Sequence, residues 1–178
     1  FERKNPVLVS MVTGVSIAEL ADALHFPVAK IIRIMPNVNV EIGEGMTALK
    51  AGEKVTETEF SEVTDLFDSI GKTTEMEEKD FSTFVALAGS SPAYVYLFID
   101  AMSRSGVKYG LSKRQATEIA AQAVLGSALK VLEASKSPMD LVDDVCSPGG
   151  TTVAGLLPME EYGFTSSVIK GLDATVAK

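Results

Sequence analysis

The sequence predicts a chain of two parts, an α/β part followed by an all-α part. Up to about residue 78, short apolar segments typical of strands alternate with segments that carry a helical pattern. Beyond that point the composition shifts and no convincing strand recurs. Alternation of strands with helices favours a parallel or mixed sheet with helices on its faces. We therefore expect two domains, at residues 1–78 and 79–178.

The first part is predicted to open directly on a strand. The segment Val7–Val12 is short, continuous and rich in branched residues, which is typical of a buried strand. A helix should follow, because Ser16 and Glu19 have the spacing of a capping box. The later segments are strands at 30–35, 46–50 and 72–76, and a helix that begins at the capping box Thr56–Glu59 and extends to Ile70.

The second part is predicted to be a set of helices. Ser91 and Pro92 supply an N-cap and a first-turn proline, so two helices should meet there. A long alanine-rich helix from Ser112 to Glu133 is apolar on more than one face, so it must be covered on several sides. A second subunit is the expected cover, and burial within one subunit is the alternative. Three shorter helices follow, at 138–145, from 151 with an interruption near Leu157 caused by Pro158, and from a Thr165 cap to Lys178.

Composition restricts the possible partners and the compartment. The net charge of −8 and the pI near 4.7 argue against nucleic acid or an anionic membrane as a partner. The single cysteine, Cys146, cannot form an internal disulfide, which suits a reducing cytoplasm. The first residues do not resemble a signal peptide. Residues 81–99 are uncharged and long enough for a membrane helix, but Gly89 and Pro92 interrupt them, so a buried helix pair is expected.

A glycine loop, Asp144–Thr152, is the main candidate for a functional site. Two glycines allow the backbone to turn sharply, and the start of the next helix directs unpaired N–H groups outward. Such a position favours an anion, which could be a carboxylate or a phosphate. The hydroxyls of Thr151 and Thr152 lie at the cap. Taken alone, the loop could equally be a simple helix cap.

The motif Ser147–Thr152, together with Ala88–Tyr94 and Gly110–Ser112, resembles the carboxy-terminal signature of the Δ1-pyrroline-5-carboxylate reductases. This resemblance implies part of a Rossmann NAD(P)-binding domain followed by a helical domain that interlocks with its twin in a homodimer. It also implies reduction of 1-pyrroline-5-carboxylate to L-proline with NADPH or NADH. Other segments match the family in order and spacing, namely Val9–Ser16, Arg33–Asn37, Gly71–Thr73 and Gln122–Gly126.

The resemblance also assigns substrate-binding residues. The backbone amides of Gly150, Thr151 and Thr152 would hold the substrate carboxylate, and Gly149 belongs to the same substrate-binding loop. Thr152 matches the family threonine whose hydroxyl contacts the ring nitrogen, so it is the catalytic candidate. A threonine hydroxyl is too weak an acid to donate a proton efficiently near neutrality, so orientation is its expected role. Glu78 matches a family position near the substrate.

For the cofactor, the resemblance assigns the strand-end loop Met11, Val12, Thr13 and Gly14 to the nicotinamide. Asp144 stands where many members have an asparagine near the cofactor, so this contact departs from the family pattern. No G-x-G-x-x-G motif follows a strand in the sequence. We therefore expect the chain to lack the first half of its Rossmann domain. No cluster of residues with metal-ligand spacing is visible, so no metal is expected.

Two other functions remain open at this point. An NADP-dependent hydroxy-acid dehydrogenase would need a catalytic lysine on the long helix, whereas Lys108 and Lys113 lie at its capped end. The non-enzymatic alternative is a dimerisation module that folds but does not catalyse. A Cys146 nucleophile is disfavoured because the sole histidine, His25, is distant in sequence and no partner is evident.

Overall fold

The computed structural model describes residues 6–25 and 30–178, which form two compact units. One unit comprises the chain up to Pro92 together with Asp173–Lys178, and the other is Ala93–Leu172. The first unit is built on a sheet, and the described elements of the second are all helices. The predicted succession of an α/β part and an all-α part is therefore confirmed. The division of the chain into domains at residues 1–78 and 79–178 stays a prediction.

The sheet of the first unit is mixed. Its strands β1 (Val7–Ser10), β2 (Lys30–Pro36), β3 (Gly45–Ala51) and β4 (Gly71–Glu75) lie in the order β1-β2-β3-β4. The outer pairs, β1 with β2 and β3 with β4, are parallel, and the central pair β2 with β3 is antiparallel. A 3-10 helix, Val38–Ile42, connects the two antiparallel strands. The sequence predicted either a parallel or a mixed sheet, and the structure contains a mixed sheet.

Two helices of the first unit begin at the predicted capping boxes. Helix α1 covers Ile17–Ala23 and helix α2 covers Glu57–Asp68. In each box the cap hydroxyl accepts the amide of the third residue, and the carboxylate of that residue accepts the amide of the cap. Helix α2 is shorter than predicted: Ile70 lies beyond its end, in the turn that leads into β4.

The core of this unit lies on both faces of the sheet. Because side chains alternate along a strand, successive residues of β2 contribute to opposite faces. One face packs against aromatic and branched side chains of α2, and the other packs against the helical segment that follows β4. The first cluster contains Ile32, Ile34 and Leu49 with Phe60, Val63 and Phe67, and the second contains Met35, Ala48, Phe81 and Phe84.

A continuous helical run leaves the sheet after the 3-10 turn Glu78–Asp80. It consists of α3 (Phe81–Phe84), a π-helical stretch (Val85–Ser90) and α4 (Ser91–Lys108). The prediction that two separate helices meet at Pro92 is wrong. The chain accommodates the proline by widening the preceding turn, because a proline has no N–H to continue the regular α-helical bonds.

The run Glu78–Lys108 is, among the described residues, the helix long and apolar enough to cross a membrane by length and composition. Only 17% of its most apolar window is buried within the chain. The expected burial of this segment is therefore not achieved inside a single copy. A core helix of a soluble protein passes the same length and composition test, so the test alone is weak evidence for a membrane span.

The second unit contains four further helices. They are α5 (Lys113–Glu133), α6 (Pro138–Val145), α7 (Thr151–Glu161) and most of α8 (Phe164–Val176). The limits of α5 and α6 agree with the sequence prediction.

The predicted details at two later positions are wrong. Pro158 lies inside α7, which continues to Glu161, so the proline does not end the helix near Leu157. Thr165 lies within the first turn of α8 and does not cap it. Its hydroxyl donates instead to the carboxylate of Glu160, at 3.0 Å.

Helices α4 and α5 pack closely where the turn between them brings small residues together. A Cβ at Gly106 would lie 2.9 Å from the Cβ of Ala116, which is closer than two carbon atoms can pack. The fully buried hydroxyl of Ser103 lies 3.0 Å from that of Thr117. The Asp100 carboxylate accepts from Lys113 Nζ at 2.6 Å across the same contact.

The tyrosines are confined to one of the two units. All four tyrosines of the chain, Tyr94, Tyr96, Tyr109 and Tyr162, lie within Ala93–Leu172. The chain has no tryptophan.

Candidate active site

The glycine loop of the second unit forms a tight turn into α7. Gly149 has φ +69°, a left-handed conformation that a residue with a side chain rarely adopts. The amide of Gly150 donates to Ser147 O at 2.9 Å and closes the turn. A Cβ at Gly150 would lie 2.5 Å from Ser147 Oγ, so a side chain at this position would displace the loop. Both glycines are therefore required by the local backbone.

The N-terminus of α7 has no side-chain cap, which distinguishes it from other helices of this chain. Ser16, Thr56, Ser112 and Ser137 each accept a first-turn amide of the helix that follows. At α7 the N-cap is Gly150, and within residues 6–25 and 30–178 no side chain bonds to its first turn. The exposed residues at its start therefore present their amides to solvent, at the positive end of the helix dipole.

Asp144 lies near the end of α6, before the glycine loop. Lys136 Nζ donates to both of its carboxylate oxygens, at 2.9 and 2.7 Å. Cys146, the C-cap residue of α6, is partly exposed. Among the described residues, no group of three or more His, Cys, Asp or Glu is arranged to hold a metal ion.

In the first unit, the loop between β1 and α1 is exposed. Met11 and Val12 have 62% and 50% of their surface accessible, and Thr13 and Gly14 are also exposed. The loop follows the carboxyl end of β1, which is paired in parallel with β2. In open α/β sheets, ligands bind outside the carboxyl ends of parallel strands.

Glu78 is held by two donors that come from distant parts of this unit. Its Oε1 accepts the backbone N–H of Ile17, at 3.0 Å, and Nη1 of Arg33, at 2.9 Å. The Arg33 guanidinium also lies over the ring of Phe81, with 4.6 Å between its Cζ and the ring centroid. The Arg33 side chain is 7% exposed, and its Nε has no hydrogen-bond partner in the described part of the chain. Glu78 therefore connects α1, β2 and the start of the helical run.

A cavity of about 720 Å³ lies beside this ion pair, within the first unit. The hydrogen bond from the Ser16 hydroxyl, followed by that from its amide, lowers the pKa of Glu19 on the cavity wall below its ordinary value. A second depression of about 630 Å³ in the same unit does not include the β1–α1 loop. We therefore regard the cavity of about 720 Å³ as the candidate site. The 720 Å³ cavity is lined by, among others, Thr13, Gly14, Arg33, Glu78, Val85 and Ser90.

The predicted site residues thus fall into two groups, one in each compact unit. Thr13, Gly14 and Glu78 share one cavity, and Met11 and Val12 precede them in the same loop. The second group comprises Gly149, Gly150, Thr151 and Thr152 at the start of α7, and Asp144 on α6.

Sequence analysis missed Arg33 as a residue that shapes the first unit's site. The available signal was a charge between the apolar residues Ile32 and Ile34 of strand β2, because a buried arginine is rarely tolerated without a partner.

The fold and the two groups of residues define the class of protein: part of a Rossmann-type α/β domain, followed by a helical region. Comparison with known proteins identifies the family. The family description "Pyrroline-5-carboxylate reductase dimerisation" matches residues 78–178. The chain therefore belongs to the pyrroline-5-carboxylate reductase family.

Curated relatives agree over nearly the whole chain. It is 41% identical over 172 residues to a pyrroline-5-carboxylate reductase of Aquifex aeolicus, covering 97% of this chain and 64% of the relative. It is 40% identical over 175 residues to the Escherichia coli enzyme of the same name, covering 98% of this chain and 65% of the relative. The chain thus spans slightly less than two thirds of the length of these relatives.

Solved structures are similar to this fold. A pyrroline-5-carboxylate reductase of Streptococcus pyogenes has a TM-score of 0.88 and 46% identity, covering 96% of this chain and 66% of that one. A Plasmodium falciparum pyrroline carboxylate reductase with NADP bound has a TM-score of 0.89 and 33% identity, covering 96% and 68%. The resemblance found in the sequence motifs is therefore confirmed at the levels of family and fold.

Proposed function

We propose that the complete protein reduces 1-pyrroline-5-carboxylate to L-proline with NADPH or NADH. Membership of the reductase family supports this reaction, and the uncapped glycine-loop start of α7 is the structural observation that carries it. A substrate with a carboxylate next to a cyclic imine needs an anion site and a group that orients the ring nitrogen. Both are available at the start of α7.

The anion site consists of backbone groups. Gly149 and Gly150 form the turn into α7, in which the Gly150 amide donates to Ser147 O, and the amides of Thr151 and Thr152 follow at the positive end of the helix dipole. A substrate carboxylate at this position would take the place that a serine or threonine side chain occupies at the other capped helices. The sequence left open whether this site binds a carboxylate or a phosphate. We propose a carboxylate, because the proposed substrate carries one and has no phosphate.

Thr152 has the role of orienting the ring nitrogen. The imine is basic enough to be protonated by solvent, and the resulting iminium N–H can donate to Thr152 Oγ1. When bound, NADPH or NADH supplies the hydride that reduces the C=N carbon, and the π electron pair returns to nitrogen. Fixing the ring in one orientation lowers the barrier because the reacting atoms are already aligned.

The first unit fits the nicotinamide end of the cofactor. The exposed backbone of Met11, Val12, Thr13 and Gly14 follows a parallel strand and borders a cavity of about 720 Å³. We propose that this loop binds the nicotinamide. Glu78, fixed by Arg33 and by the start of α1, is proposed to line the substrate side of the same cavity.

Asp144 is proposed to lie near the cofactor, where its ion pair with Lys136 keeps the carboxylate in place. The pairing also offsets a negative charge that would otherwise repel a phosphorylated cofactor. A cytoplasmic location is part of the proposal, and a single cysteine that cannot form an internal disulfide is compatible with it.

The active form is proposed to be at least a homodimer. The family description names dimerisation, and helices α4 and α5 expose large apolar side chains in the single chain. An apolar groove of about 410 Å³ between Phe98, Met102 and Val124 adds to this surface. A second copy would cover it with its own equivalent helices. The most exposed large apolar side chains of α4 and α5 are Tyr96, Leu97, Ile119, Leu125, Leu129 and Leu132.

The function is tested with Thr152→Ala in the complete protein. Loss of one hydrogen bond to a charged group costs about 1.5 to 3 kcal/mol, which is roughly a ten- to hundred-fold loss of turnover. The dissociation constant for NADPH should stay nearly unchanged, because the hydroxyl that is removed is proposed to contact the substrate and not the cofactor. The amide of residue 152, which helps to hold the substrate carboxylate, survives the substitution. Turnover is measured by NADPH oxidation with 1-pyrroline-5-carboxylate. Thr165→Ala, an exposed threonine of α8, serves as the matched control and should retain full turnover.

Unimpaired turnover of Thr152→Ala would contradict the orienting role proposed for its hydroxyl, and unimpaired turnover of Gly150→Val as well would show that the glycine loop is only a helix cap. The 178-residue chain assayed alone should be inactive, because its sequence lacks the glycine motif that binds the pyrophosphate. It would then act as a dimerisation module only. Activity of the chain alone equal to that of the complete protein would contradict the proposed division of the cofactor site.

A further inference from the structure

The π-helical stretch Val85–Ser90 is a local departure from regular helix geometry that no part of the proposed reaction explains. A π-helix has one more residue in each hydrogen-bonded turn than an α-helix, and such turns occur frequently at functional sites. Val85 and Ser90, which bound this stretch, both line the cavity that also contains Thr13 and Gly14. The stretch therefore forms part of the cavity wall.

Pro92 prevents this part of the helix from closing its own hydrogen bonds. A residue 92 with an N–H could bond to the carbonyl of Ala88 in an α-helix or to that of Leu87 in a π-helix. Proline has no N–H, so it can donate to neither carbonyl. Side chains bind both of them instead. Ser91 Oγ donates to Leu87 O at 2.6 Å, and Asn37 Nδ2 donates to Ala88 O at 3.0 Å.

The Asn37 side chain is fixed by three hydrogen bonds. Its Oδ1 accepts the amide of Asn39, at 3.2 Å, and that of Met46, at 3.1 Å. With two donors directed at the oxygen, the amide nitrogen must face the helix, so its bond to Ala88 O follows from the local geometry. Asn37 is 9% exposed. It thus links the end of β2 and the start of β3 to the π-helical stretch.

We propose that Asn37 is a positioning residue that keeps Val85–Ser90 in π-helical geometry and thereby sets the wall of the nicotinamide cavity. Relaxation of the stretch to a regular α-helix would remove one residue from the turn and rotate one end relative to the other by about 100°. Val85 and Ser90 could not then both keep their places on the wall. This inference rests on the proposed function, because it assigns the cavity to the nicotinamide.

Three variants of the complete protein separate positioning from simple stabilisation. Asn37→Asp keeps the acceptor for Asn39 and Met46 but cannot donate to Ala88. Pro92→Ala restores an N–H that can bond to the Ala88 carbonyl. In Pro92→Ala alone, Asn37 still competes for that carbonyl. The double variant Asn37→Asp with Pro92→Ala leaves the helix free to relax to regular α-helical geometry.

We expect Asn37→Asp to lower the melting temperature, to speed hydrogen exchange of the amides in residues 85–93, and to raise the NADPH dissociation constant about ten-fold. The double variant should regain the wild-type melting temperature, and hydrogen exchange in residues 85–93 should become slow again, because Ala88 O regains a donor. It should not recover NADPH affinity, because the cavity wall has moved. If Asn37→Asp does not fold, Asn37→Ser, which can still cap Asn39, replaces it in both variants with the same expected pattern.

Recovery of NADPH affinity together with the melting temperature in the double variant would overturn the proposal, because Asn37 would then be purely structural. Unchanged NADPH affinity in Asn37→Asp would also overturn it. Failure of the proposed function is recognised separately, in the wild-type protein. A wild-type protein that does not bind NADPH refutes the cofactor assignment and this inference together, whereas wild-type binding with insensitive variants refutes the inference alone.

Discussion

The carboxylate of Glu59 takes part in two kinds of contact. It accepts the amide and hydroxyl of Thr56 in the capping box of α2, and it forms an ion pair with Lys30 at the start of β2. The bond from Lys30, followed by those from Thr56, lowers the pKa of Glu59 from 4.5 to about 2. The carboxylate therefore connects α2 to the sheet as long as it is ionised.

Glu59→Gln should reduce the loss of unfolding free energy that occurs when the pH is lowered. Because the pKa of Glu59 is lower in the folded chain, the unfolded chain binds the proton first as pH falls below 4.5. The stabilisation is complete above that pH and is lost progressively towards pH 2. Urea denaturation at about pH 6 and about pH 3 should show a larger loss of unfolding free energy for wild type than for Glu59→Gln.

Glutamine can still form the capping box, so this variant removes the ion pair and keeps the cap. Glu62→Gln, an exposed position on the same helix, controls for the loss of one negative charge. Equal pH dependence in Glu59→Gln and wild type would show that the Lys30 pair does not stabilise the fold.

At the level of elements, the contact between α4 and α5 depends on a glycine. Gly106→Ala would place a Cβ 2.9 Å from that of Ala116, and neither methyl group can move without moving a helix. Overpacking of this kind costs about 1 to 3 kcal/mol of unfolding free energy. Urea denaturation should measure that loss.

The double variant Gly106→Ala with Ala116→Gly moves the small residue to the opposite helix. It should recover much of the lost unfolding free energy, although a glycine inside α5 costs about 1 kcal/mol of helix propensity. If the second substitution adds a further loss and recovers nothing, the close approach of the two helices at this point is wrong.

The sequence predicted elements whose signals are local. The capping boxes at Ser16 and Thr56 need only residues three positions apart, and both form as expected. The continuity of the helix through Pro92 was not predictable in this way. The Ala88 carbonyl, to which Pro92 cannot donate, is bound by Asn37, which is 51 positions away in sequence and becomes a neighbour only after the sheet has formed.

In the candidate site, too, the features encoded by adjacent residues were predictable and those that depend on distant residues were not. The glycine loop was predictable, because a turn into a helix is encoded by adjacent residues. The ion pair that holds Glu78 was not, since Arg33 is 45 positions away in sequence and reaches it only from β2. Motif resemblance placed Glu78 near the substrate without indicating what fixes its carboxylate.

At the level of the whole molecule, the exposed apolar surface of α5 predicts association. Leu125 is 51% exposed in the single chain, and a second copy is the proposed cover. Leu125→Glu should shift the protein from dimer to monomer, or unfold it, because burial of a leucine at an interface contributes about 2 to 5 kcal/mol. Light scattering at micromolar concentration measures the assembly state.

Leu66→Glu is the matched control for this substitution. Leu66 lies on α2, in the first unit, and is 62% exposed. Its replacement should leave the dimer intact. A wild-type protein that remains monomeric at micromolar concentration, or a Leu125→Glu variant that remains dimeric, would contradict the proposed interface.

The uneven placement of the tyrosines gives this chain a built-in optical reporter. Because there is no tryptophan, its intrinsic ultraviolet emission arises from tyrosines that all lie in Ala93–Leu172. Emission therefore follows the melting of the helical unit, whereas the β-sheet contribution to circular dichroism follows the other unit. Two unfolding curves that do not coincide would mean that the units lose their structure in separate steps, without any label having been attached.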